Sequence, residues 1–190
     1  GFGADTSAML ESDPAVESLE IGGPYTISGP GDTPSRDKVF VCRPTGPSDA
    51  DECAVRILSR LARRAFRRPV TQTDVNALMA FYEARPKDTF DARIQLALQM
   101  ILADPDFLFR VEYEPPELLA GTVYRLSDFD LASRLSFFLW SSIPDDELLD
   151  LAEQGKLRSS GVLEQQVRRM LADTRARALV DNFAGQWLVL

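Results

Sequence analysis

Ala54-Val55-Arg56-Ile57-Leu58-Ser59-Arg60-Leu61-Ala62-Arg63-Arg64-Ala65-Phe66 decides the fold class. Its apolar positions, Ala54, Ile57, Leu58, Leu61, Ala62, Ala65 and Phe66, recur at i, i+3, i+4 and i+7, the spacing of one buried helix face. The arginines between them fall on the opposite face. Ser48 and Asp51 have the spacing of a capping box, and Pro69 disfavours helix at the residue before it, so a helix is expected from about Ser48 to Arg68. The same period continues downstream. Thr71 with Asp74 caps a second helix carrying Val75, Leu78, Met79 and Tyr82. A third, Phe90 to Ala103, aligns Ile94, Ala97, Leu98, Ile101 and Leu102 before the Asp104-Pro105-Asp106 turn.

Beyond a polar, Pro-containing gap at 112–121, Ser127 and Asp130 cap a helix running to about Ser141 that is apolar on nearly every side, the expected buried element of this half. Pro144 is expected to open the next helix at its first position. Two more are expected, Gly161 to Ala172 and Thr174 to the end, the latter with Ala176, Val180, Phe183 and Trp187 in register. Phe137, Phe138, Trp140, Phe183 and Trp187 fall at core spacing, which favours packing over a ligand-stacking box.

Residues 1–47 read differently, because they hold most of the Gly and Pro. Two β-like runs, Val16 to Ile21 and Lys38 to Cys42, flank turn-rich sequence, as at the trailing edge of a β-rich domain and its linker. Gly29 to Arg36 superficially suggests a phosphate loop, but lacks the Gly-Lys-Ser/Thr ending and reads as a surface turn. The expected fold is therefore mainly α. Two successive helical subdomains, 48–113 and 122–190, follow a short β/turn-rich N-terminal segment from an upstream domain. There is no initiator Met or signal segment, and Trp187-Leu188-Val189-Leu190 closes the chain without a helix stop. An internal piece of a larger protein, its second helical domain truncated, is the expectation.

Composition narrows function by exclusion. With 45% apolar and 26% charged residues among 190, wholesale disorder is not expected. No run reaches the roughly 18 apolar residues of a membrane span. A net charge of −8 opposes nucleic acid as the main partner. The sequence contains no histidine, which removes Ser-His and Cys-His pairs, zinc-hydrolase motifs and Glu-x-x-His di-iron sites from this chain.

Three groups of polar residues remain. Cys42 and Cys53 suit a disulfide between linker and helix; two buried thiols, or an incomplete metal or redox site, are the alternatives. A disulfide would imply an oxidising compartment. Arg56, Arg60, Arg63, Arg64, Arg67 and Arg68 form either a docking patch for an acidic partner or anionic glycan, or a helix face paired with nearby carboxylates. Asp145, Asp146, Glu147 and Asp150 suggest calcium or paired catalytic carboxylates. Acids after Pro144 are also what a helix N-terminus favours, and no Asp-x-Asp-x-Asp-Gly loop is present.

Longer motifs carry a resemblance. They are Ile21-Gly22-Gly23-Pro24-Tyr25, Phe40-Val41-Cys42-Arg43-Pro44, Leu61-Ala62-Arg63-Arg64-Ala65-Phe66-Arg67-Arg68-Pro69-Val70-Thr71, and Ile101-Leu102-Ala103-Asp104-Pro105-Asp106-Phe107-Leu108-Phe109-Arg110. The second half adds Leu131-Ala132-Ser133-Arg134-Leu135-Ser136-Phe137-Phe138-Leu139-Trp140 and Asn182-Phe183-Ala184-Gly185-Gln186-Trp187-Leu188. The chain resembles the large cytochrome c-linked multidomain proteins of planctomycetes and related bacteria, whose helical segments are domains of unknown function. That resemblance implies an exported, periplasmic or cell-surface protein with haem c elsewhere in the parent, and supplies no catalytic residue. The Cys-x-x-Cys-His haem motif is absent here.

The expected function is accordingly a non-catalytic structural or interaction module, partnered by other domains of the same polypeptide and by a redox partner or anionic glycan. One alternative is part of an extracytoplasmic enzyme of polysaccharide turnover, its site completed by sequence outside this chain. The other is a polyanion-binding module using the Arg56–Arg68 stripe.

Overall fold

A computed structural model describes residues 31, 33–110 and 122–188. The chain divides into two units, Gly1–Pro34 and Ser35–Leu190. Of the first, only Gly31, Thr33 and Pro34 are described. The β-like run Val16 to Ile21 and most of the glycine-rich turn after it lie outside the described residues.

Among the described residues every regular element is helical. Helix α1, Pro34–Val39, replaces the expected strand at Lys38 to Cys42. Pro34 suits a first helical position, and the Phe40 N–H donates to the Arg36 carbonyl at 2.7 Å, so the helical turn runs into this segment before Cys42. Helix α2 spans Pro47–Phe66. Its start also differs from the Ser48/Asp51 reading. Pro47 needs no hydrogen-bond acceptor for a missing N–H, and the Asp49 carboxylate accepts from the Gly46 N–H, the Thr45 N–H and the Thr45 hydroxyl, each at 2.9 Å.

Helix α3, Gln72–Glu83, begins where Thr71 and Asp74 cap each other, and α4, Phe90–Ala103, begins at Thr89. Their inward faces meet α2. Ile57, Leu58 and Phe66 of α2 pack with Leu78 and Tyr82 of α3 and Ile94, Ala97 and Ile101 of α4. Burying each large aliphatic side chain contributes about 1.5–3 kcal/mol, so this three-helix layer is held by its apolar face rather than by helix propensity. A one-turn helix α5, Pro105–Leu108, follows directly, capped by the Asp104 carboxylate on the Asp106 N–H.

The second core is built from α6, Asp128–Trp140, α7, Asp146–Glu153, and α8, Val162–Ala172. Ala132, Leu139 and Trp140 pack there with Leu148, Ala152, Leu157 and Met170. The Trp140 indole N–H donates to the Met170 carbonyl at 2.9 Å, which satisfies the polar edge of a buried ring. Pro144 stands before α7 rather than at its first position. Asp145 is the cap, accepting from the Leu148 N–H at 3.1 Å.

Helix α6 is the expected buried element of this half, with Ala132, Ser136, Leu139 and Trp140 buried, although Phe138 is 53% exposed. The tail differs from expectation. The expected helix from Thr174 to the end is broken. A 3₁₀ turn, Thr174–Ala176, leads to a π-helical segment, Leu179–Ala184, and to α9, Gly185–Leu188. The Gly185 N–H bonds the Val180 carbonyl five residues back, which widens the turn. Phe183 and Trp187 do share a face, stacking at 6.1 Å, yet both are exposed, and Phe183 meets Phe138 edge-on at 5.5 Å. Of the five aromatics assigned to core spacing, Trp140 is the one that is fully buried.

Candidate functional site

Cys42 and Cys53 form a disulfide, with Cα atoms 5.9 Å apart. It ties the extended link after α1 to the second turn of α2. Beside it, Arg36 and Arg43 both bind the Asp91 carboxylate on α4, and the Arg43 guanidinium lies 3.9 Å from the centre of the Phe40 ring. Covalent and ionic contacts thus fasten the α1 segment to the first core.

The arginine stripe has partners at every position. Arg56 pairs with Glu52 on its own helix at 3.1 Å. Arg63 donates to Asp150 at 2.7 Å and to Glu153 at 2.9 Å, both on α7, while Arg60 and Arg64 approach Asp146 at 3.6 Å. Burial alone pulls the Arg63 guanidinium down, but the two carboxylates more than reverse this and hold its pKa above the ordinary value. One face of α2 therefore meets the acidic face of α7, and the two cores are joined along that seam.

Arg68 and Arg67 turn elsewhere. Arg68 forms a fork on Asp74, at 2.7 and 3.0 Å, and reaches Asp106 at 2.8 Å. This contact with Arg68 is the main reason the Asp74 carboxyl sits well below the usual carboxylate range. Arg67 is buried at the end of α2 in left-handed conformation, φ 56°. Its guanidinium donates to the carbonyls of Ala65, Asp106, Phe107 and Phe109, so it gathers the exposed carbonyl ends of α2 and α5. Burial lowers its pKa, Asp106 partly offsets this, and neighbouring Arg110 lowers it further.

The acids read as possible calcium or catalytic carboxylates are engaged as well. Asp145 takes a fork from Arg169 at 2.7 and 3.1 Å. Although burial pushes this carboxyl up, Arg169 and the Leu148 N–H outweigh it and leave the pKa depressed. Gln166 bridges Arg169 and Glu147, and Arg175 lies 3.5 Å from the centre of the Trp140 ring. This network closes the α7–α8 edge of the second core. Among the described residues, no group of three or more carboxylate or thiol side chains is placed to hold a metal ion. No described helix is long and apolar enough to cross a membrane.

A cleft of about 270 Å³ opens near the end of α2, lined by Phe66, Arg67, Arg68, Asp106 and Arg110 on one side and Ser127, Phe129, Asp130, Ser133 and Arg134 on the other. Arg67 and Arg110 flank one ring, Phe137, with guanidinium carbons 5.9 and 5.0 Å from its centre. Arg110 and Phe137 also line two shallower grooves, one with Arg134 and Phe138 and one with Phe107, Leu108, Phe109 and Ile143. Sequence reading did not single out Arg110. Its position in Phe107-Leu108-Phe109-Arg110, directly after the Asp-Pro-Asp turn, was the available signal.

Two family models match the chain, both described as proteins of unknown function. PSD5 (DUF1595) matches residues 53–112 and PSD4 (DUF1592) matches residues 126–190. Each match encloses one of the two cores, and the chain is similar to both families in succession. No curated protein and no solved structure matches it. A haem c group, which the resemblance associates with the parent protein, does not fit these residues: both cysteines are in the disulfide and the sequence has no histidine.

Proposed function

We propose that this chain is a non-catalytic structural and interaction module of an exported, cytochrome c-linked multidomain protein, holding the other domains of its polypeptide in fixed relation. The observation that carries the reading is the Arg63 fork on Asp150 and Glu153. Charged residues that sequence offers as a binding patch and a catalytic cluster neutralise each other across the seam between two cores. Such an arrangement suits a spacer of defined shape. The disulfide supports an oxidising compartment, where such bonds persist. The paired matches are to families described as of unknown function, and linkage to haem and export come from the resemblance.

Fractionation of the native cells tests it. An antibody against this chain is expected to detect, outside the cytoplasm, a polypeptide that also stains for covalently bound haem on a denaturing gel. A haem-free band confined to the cytoplasm, with both cysteines open to alkylation, would overturn the proposal.

A further inference from the structure

Arg67 and Arg110 place two positive charges around the single ring of Phe137; the Arg67 donors are taken by four backbone carbonyls and Asp106 offsets part of its charge, while Arg110 forms no ion pair among the described residues. The other arginines nearby are accounted for: Arg68 is held by Asp74 and Asp106, and Arg134 has a partner of its own. Like charges brought together at a partly dry site raise each other's energy, and an anion between them lowers it. In a chain of net charge −8, this local excess stands out. The groove beside it has apolar walls, with Leu108 58% and Phe109 63% exposed. Guanidinium groups fork onto carboxylates, and open aliphatic and phenyl surface takes up apolar side chains.

We propose that the groove around Arg110, Phe137 and Leu108 is a docking site for an acidic polypeptide segment that alternates carboxylates with apolar side chains. Charge complementarity selects the carboxylate, and the walls select its neighbours. A sugar acid is the less suitable occupant, because its hydroxyls would face the apolar side chains of Phe107, Leu108, Phe109 and Ile143 along the groove. This goes beyond the spacer role, and its test needs no haem.

The test is fluorescence anisotropy with the full chain and a labelled, end-blocked peptide alternating Glu with Leu and Phe, its Glu→Gln counterpart, and oligogalacturonate as competitor. The Glu peptide is expected to bind, and to bind about tenfold or more weakly to Arg110→Gln, in line with loss of a charged hydrogen bond. The Gln peptide is expected to weaken similarly, and Arg56→Gln, outside the groove, to change nothing. Leu108→Asp, on the exposed wall, provides a second variant that leaves the core alone and is expected to weaken binding too. No binding of the Glu peptide, binding indifferent to both groove variants, or tighter binding of oligogalacturonate at the same site would overturn the proposal.

Discussion

Arg63 on α2 donates to Asp150 on α7 at 2.7 Å across a separation of 87 residues. The contact joins a helix of the first core to a helix of the second, and Glu153 shares it one turn further on. Surface pairs contribute little singly, so the seam matters through its repetition at Arg60, Arg63 and Arg64 and through the half-buried state of Arg63.

Replacing Arg67 is expected to destabilise far more than replacing any exposed arginine of the stripe. Arg67→Ala removes a buried guanidinium and leaves the carbonyls of Asp106, Phe107 and Phe109 without their donor, and should cost about 3 kcal/mol by urea unfolding, against less than about 0.5 kcal/mol for Arg56→Ala. Arg67→Gly is expected to recover about 1 kcal/mol of that loss, because glycine accepts the left-handed backbone at this position.

Removing the Cys42–Cys53 bond should lower stability by about 3 kcal/mol, the loop-closure entropy of a ring this size. Cys42→Ser with Cys53→Ser, compared with the reduced wild type in the same denaturant series, checks it. Equal loss is expected in the two.

Acid should unfold the protein across a defined window. Backbone N–H donors and the hydroxyl of Thr45, with the Gly46 N–H, hold Asp49 at about 2, and Arg175 holds Asp173 at about 2, against an ordinary 3.8. Asp74 and Asp145 are depressed as well. Between those values the unfolded chain binds more protons than the folded one, so the stability from these carboxylates is complete above pH 3.8 and is lost as pH falls toward 2. Circular dichroism during acid titration should show the loss there, with no matching loss between pH 5 and 7, where no histidine titrates.

The two tryptophans should behave oppositely. Trp140→Ala removes a buried ring, its bond to Met170 and its contact with Arg175, and is expected to cost about 3–5 kcal/mol. Trp187→Ala, 74% exposed, is expected to change stability by less than about 1 kcal/mol. Differential scanning calorimetry separates the two.

Much of the helical architecture is legible locally, where a cap and an apolar stripe agree. Thr71 with Asp74, and Ser127 with Asp130, each mark a helix start, α4 lies where its stripe places it, and α8 fills the expected span from Gly161 to Ala172. What escapes local reading depends on distant partners. Helix α5 is anchored by Arg67 from some forty positions earlier, and a π-helical turn keeps the apolar recurrence of a regular helix while shifting its face. The stripe shows that arginines face outward from the first core, but spacing carries no information that α7 lies opposite. The Arg110 groove is less legible still, since it exists only where the ends of α2 and α5 meet α6.

Charge exchange at the seam tests the central claim most directly. Arg63→Glu places like charges against Asp150 and Glu153 and is expected to lower urea-unfolding stability by about 1 kcal/mol; adding Asp150→Arg should restore roughly half of it, less at high salt. If Arg63→Glu is harmless, or the two changes together are as damaging as their sum, α2 and α7 do not face each other and the joined-core account fails.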